Sequence, residues 1–150
     1  MTSPRYPEIE AAWDRFHRGE PREAVTHLVA LVRAHPTGPL AIDERLLAIQ
    51  ALGEMGAMTR DAGRRRRSLW PEEMEIAPLR ELAVPLLAEA LGDPDTRIRH
   101  RACAALRQIG PPAVAAVPAL QRLRAGSDGL LGMFATRALA AIQPSSTENA

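Results

Sequence analysis

Residues Ala83 to Pro144, AVPLLAEALGDPDTRIRHRACAALRQIGPPAVAAVPALQRLRAGSDGLLGMFATRALAAIQP, decide the fold, because they contain one unit twice. Ala83-Val84-Pro85 returns as Ala116-Val117-Pro118, a shift of 33 residues. At that shift Asp95 meets Asp128, Ala102 meets Ala135, Ala105-Leu106 meets Ala138-Leu139, Ile109 meets Ile142 and Pro111 meets Pro144. A fixed period of this size predicts stacked helix pairs in place of a closed globule.

Working outward, Ala48 to Gly56 matches Ala102 to Gly110 at a shift of 54, and Arg45 then falls opposite Arg99. The excess over one period is an insertion of 21 residues, AMTRDAGRRRRSLWPEEMEIA, between Ala57 and about Pro78. It holds the cation run Arg64, Arg65, Arg66 and Arg67, then Trp70, then Glu72, Glu73 and Glu75. Such a run is either a solvated loop or a protruding arm for an acidic partner, with Trp70 as anchor.

The expected helices follow from apolar spacing. The first spans Glu8 to Arg18, with Ile9, Ala12, Trp13 and Phe16 on one side. The second runs from Pro21 to about His35 on Ala24, Val25, Leu28, Leu31 and Val32, and Pro36 to Pro39 ends it. A third covers about Leu40 to Gly56, and the repeat supplies Leu79–Leu91, Thr96–Ile109, Ala113–Arg124 and Leu130–Ile142. Pro85 and Pro118 fall inside their helical patterns, which predicts a bend or a late helix start. In the last helix Leu131, Phe134, Ala135, Ala138 and Ile142 form the inward stripe, leaving Leu130, Met133 and Leu139 as surplus apolar residues.

Composition agrees with an all-α chain. Hydrophobic residues make up 46% but aromatics only 3%, so the core is aliphatic and rich in helix-favouring Ala and Leu. All 19 basic residues are arginine, which removes lysine-dependent chemistry, and a net charge of +1 gives no bulk attraction to nucleic acid or membrane. The single Cys103 forms no internal disulfide, and no apolar run reaches membrane-spanning length. A cytoplasmic protein is expected.

The run from Asp93 to Gly110, DPDTRIRHRACAALRQIG, resembles the HEAT repeat, in particular the HEAT-like class of phycobilisome lyases. The likeness extends over Leu79 to Pro144 and partly over Leu40 to Gly56. It implies a right-handed α-solenoid of stacked antiparallel helix pairs, about three HEAT-like units plus an N-terminal helix. It also implies that Asp93 and Arg99 link successive repeats, with Arg45 in the same part for the first unit. Arg97, Arg101 and Arg107 would then face an inner groove suited to acidic peptide, carboxylate or phosphate. Asp128 persists in the last unit, but Gly132 replaces the arginine. Gly19 to Pro36 is similar to the second half of a tetratricopeptide repeat, although Arg15 stands where an aromatic is usual and Leu31 where a small residue is.

Catalytic patterns are missing from the sequence. The serines lie mainly in loops or tails, His17, His27, His35 and His100 are scattered, and no HExxH, CxxC or phosphate-binding loop occurs. The expected organisation is one domain: a loose N-terminus 1–7, helices 8–56, the Arg/Trp insertion 57–77, two HEAT-like repeats 78–143 and a tail 144–150. The expected function is a non-enzymatic, cofactor-free, metal-free adaptor for a protein partner, with an acidic partner as one option. The partner would sit on the arginine-bearing face or on the C-terminal helix at Leu130 and Met133; self-association is an option. The alternatives are a nucleic-acid or polyanion binder using Arg64–Arg67 with Arg97 and Arg101, and an accessory subunit of a lyase or modifying enzyme.

Overall fold

The computed structural model describes residues 6–34, 39–65, 76–127 and 129–143, and every regular element within them is helical. Helix α1 is Pro7–His17 and α2 is Pro21–Arg33. Each starts on a proline, whose missing N–H costs nothing in a first turn. In α1 Glu8 and Glu10 sit at the N-terminal end and Arg15 and His17 at the other, matching the helix dipole.

Helix α3, Pro39–Arg65, continues well past the Gly56 at which its pattern was expected to stop. Between Ala57 and Arg65 there is no proline, and the single Gly63 weakens a helix without ending it. Thr59 is buried there, and its hydroxyl donates back to the Met55 carbonyl at 2.8 Å, so the polar group is satisfied. The first part of the inserted segment is thus helical; Arg66, Arg67 and Trp70 lie outside the described residues, as do the side chains of Arg64 and Arg65.

Two prolines shape the next two pairs. A π-helical turn, Leu79–Ala83, leads into α4, Val84–Ala90, and a 3₁₀ turn, Pro111–Ala116, leads into α6, Val117–Ala125. Pro85 and Pro118 are each the second residue of an α-helical run; Pro118 marks the late start that an interior proline predicts, whereas Pro85 lies inside backbone that is helical without a break from residue 76, with the π-turn just before it. The backbone enters the two runs in opposite ways. The Val84 N–H bonds back to the Leu79 carbonyl, a widened turn, whereas the Val117 N–H bonds to Val114, a tightened one.

Helix α5, Thr96–Ile109, and helix α7, Leu130–Ile142, have the expected bounds. Helix α5 is capped by Asp95, whose carboxylate accepts the Arg97 N–H at 2.8 Å. The buried arc of α7 is Ala135, Ala138, Leu139 and Ile142. It is turned slightly from the expected stripe: Leu139, read as surplus, is buried, and Leu131 and Phe134 are only half-buried.

Helices α3, α5 and α7 pack side by side as one row, with α1 against α3. Helices α2, α4 and α6, with their lead-in turns, form the second row, and one continuous aliphatic core fills the space between. The α3–α5 contact is close because Gly53 and Gly56 carry no side chain. A Cβ on Gly53 would lie 2.8 Å from the Ala105 Cα and would strike the Gln108 side-chain oxygen; one on Gly56 would lie 2.6 Å from Ile109 Cγ1.

Candidate functional site

The row α3–α5–α7 carries the polar side chains that the sequence singled out. Between α3 and α5 lies a groove of about 240 Å³ whose floor is Ala104 and Ala105. Its walls are Gln50 and Glu54 from α3 and Arg101, Arg107 and Gln108 from α5. Arg101 donates to the Gln50 side-chain oxygen at 2.6 Å, and the Gln50 amide donates to Glu54 at 2.9 Å. This chain fixes one wall, while Arg107 is exposed and has no ion-pair partner among the described residues.

Arg97 does not join this groove. It sits at the first turn of α5 and closes on its own cap, Nε to Asp95 at 3.2 Å and NH2 at 3.0 Å. The Arg97 guanidinium and backbone N–H together hold the Asp95 carboxyl below its ordinary pKa. Two of the three arginines read from the sequence as one face therefore meet at one site.

Asp93, Arg45 and Arg99 converge on the turn between α4 and α5. Asp93 Oδ1 accepts the Asp95 N–H at 2.9 Å and so shapes the turn. Its other oxygen accepts from Arg45 at 2.8 Å, with both side chains only 15% exposed. Arg45 Nε also donates to the Val32 carbonyl at 3.1 Å, so one side chain joins the end of α2, helix α3 and the α4–α5 turn. Arg99, its counterpart one unit later, makes no such crossing. It folds back on the Asp93 carbonyl at 2.7 Å, the Pro94 carbonyl at 3.2 Å and the Thr96 hydroxyl at 2.9 Å. The reason is legible at the 33-residue shift, where Asp93 corresponds to Gly126, which has no carboxylate to offer.

Gly132 replaces an arginine because there is no room for one. A Cβ at this buried position would lie 2.6 Å from the Ser127 carbonyl oxygen. Cys103 is buried in α5, and burial pushes its thiol up to about 11.

Leu130 and Met133 are 58% and 42% exposed on the outer side of α7. The sequence did not single out Thr59 or Arg60. Arg60 lies with its NH1 3.0 Å from where a Gly110 Cβ would stand, and its Nε is buried with no hydrogen-bond partner. A larger depression of about 560 Å³ along α2 is lined by Arg15, Arg22, Glu23 and His27; of these Arg22 pairs with Glu81 at 3.0 Å and His27 meets Glu8 at 2.8 Å. Among the described residues no group of three or more His, Cys, Asp or Glu could hold a metal ion, and no helix is long and apolar enough to cross a membrane.

Among the described residues, fold and site together define an all-helical protein with a polar groove between α3 and α5 and exposed apolar residues on α7. No family profile, curated protein or solved structure matches it.

Proposed function

We propose that the chain is a non-enzymatic adaptor, a HEAT-like α-solenoid that holds a protein partner in the groove between α3 and α5. The observation that carries this reading is the composition of that groove: Gln50, Glu54, Arg101, Arg107 and Gln108 over an alanine floor. Primary amides both donate and accept hydrogen bonds, as peptide groups require. The unpaired Arg107 offers a fork to a partner carboxylate. Glu54 in the wall opposes a phosphate backbone, and Arg97 is already occupied by Asp95, so a protein fits this surface better than a polyanion.

The test compares affinity purification from the native organism using the chain and its Arg101→Glu/Arg107→Glu variant, with circular dichroism confirming that both are folded. A protein retained by the first and lost from the second supports the groove. Equal retention by both rules the groove out. Salt-sensitive binding to single-stranded DNA that the variant loses would instead favour the polyanion alternative.

A further inference from the structure

The two ends of the helix row differ. At the first end α1 turns Glu8, Glu10, Asp14 and Arg15 outward, a polar cap of the kind a stacked array needs. At the other end α7 has no such cap. Leu130, Met133 and Arg137 stand at i, i+3 and i+7 on its exposed side, with Ala140 beside them. Thr136 is exposed on this side too, its hydroxyl donating back along the helix to the Gly132 carbonyl at 2.9 Å. Two of the four exposed large apolar side chains among the described residues are on this one helix.

The charged residues described around this end are arginines. Arg122 and Arg124 occupy the last turn of α6, which leads directly into α7, and Arg137 lies on α7 itself. None of the three has an ion-pair partner among the described residues. Between Val117 and Gln143 the sequence sets these three arginines against a single acid, Asp128, which lies outside the described residues.

We propose that the outer face of α7 docks an acidic amphipathic helix of a partner protein, with apolar residues on Leu130 and Met133, a carboxylate on Arg137, and the positive charge of Arg122 and Arg124 on the neighbouring helix drawing the acidic side in. A helix is the matching occupant because every earlier member of the row, α1, α3 and α5, is covered on this side by the next helix. A second copy would bring the same three arginines and no described acid to the interface, so like charges disfavour it. Two large apolar side chains are too few to anchor the chain in a bilayer. The proposal shares with the adaptor function only the stacked-helix reading and does not use the groove.

The experiment measures fluorescence anisotropy of a labelled Leu/Glu amphipathic peptide of about five turns, roughly 18 residues, titrated with the full chain. The control peptide has Lys in place of Glu. The acidic peptide is expected to bind and the basic one not. Met133→Glu and Arg137→Glu, both at exposed positions that leave the core intact, are each expected to weaken binding about tenfold or more. Arg122→Glu/Arg124→Glu/Arg137→Glu is expected to transfer preference to the basic peptide. The groove variant Arg101→Glu/Arg107→Glu should bind the acidic peptide as the parent does, which separates failure here from failure of the adaptor proposal. Equal affinity for both peptides, no binding of either, or binding indifferent to Met133→Glu would overturn the proposal. So would a dimer that Met133→Glu abolishes, or binding confined to phosphatidylserine vesicles.

Discussion

At the scale of single residues, Asp95 does two jobs with one carboxylate: it caps α5 and grips Arg97. Asp95→Ala is expected to cost about 1 kcal/mol at neutral pH, a fall of about 2–4 °C in melting temperature. Its pKa is lower in the folded chain than in the unfolded one, so its stabilisation is complete above the unfolded range and is lost as pH falls through the folded value. Thermal melts should therefore show a gap between parent and variant that is constant above about pH 4 and narrows below it. Cys103 makes the opposite case, a group silenced by its surroundings. With its thiol raised to about 11, it should resist a thiol-reactive dye at pH 8 and react at once in denaturant. The burial of Cys103 was legible in the sequence from its place beside Ala102 and Leu106. A cap at Asp95 or Thr96 was legible from the turn before the helix, but the bidentate hold of Asp95 on Arg97 was not, because side-chain rotamers leave no mark on residue spacing.

At the scale of elements, the α3–α5 contact depends on what is missing from Gly53 and Gly56. Alanine is ordinarily the better helix former by about 1 kcal/mol. In this helix the added methyl of Gly53→Ala would press on the Ala105 backbone, which cannot rotate aside as a side chain can. Overpacking of this kind costs about 1–3 kcal/mol, so urea denaturation of Gly53→Ala should show a net loss of stability and the exposed Gly126→Ala should not. The repeat displayed these glycines in ALGEMG, yet spacing alone gave no sign that α3 runs on to Arg65. The compositional break at the arginines lies later than the end of the packing surface, since Thr59 is still inside. The position of both prolines was readable too. Whether the turn before each would widen or tighten was not, since the same Val-Pro pair does both.

For the molecule as a whole, Arg45 and Asp93 join parts of the chain 48 positions apart with little solvent to screen them. A double-mutant cycle with Arg45→Met and Asp93→Asn should return a coupling of about 1–3 kcal/mol, against well under 1 for the exposed pair Arg22 and Glu81. The sequence marked Arg45, Asp93 and Arg99 as one set. Their pairing across units became visible only with the helices packed, because an arginine reaches whichever acceptor the neighbouring turn provides.

That arrangement leaves the molecule with unequal seams. Between the first two helix pairs the seam is riveted by Arg45 and Asp93. Between the last two, Arg99 has turned back on its own loop and the junction is closed by aliphatic contact and the His100–Phe134 edge, with ring centres 5.1 Å apart. Apolar contact yields within a short displacement, whereas a buried ion pair holds until it is torn. Stretched end to end in an optical trap, the chain should therefore release α6 and α7 first as a low-force step and keep α2 to α5 together until a second. Asp93→Asn should merge the two steps. On this account, the substitution of glycine for Asp93's counterpart at position 126 gives the molecule a detachable last segment.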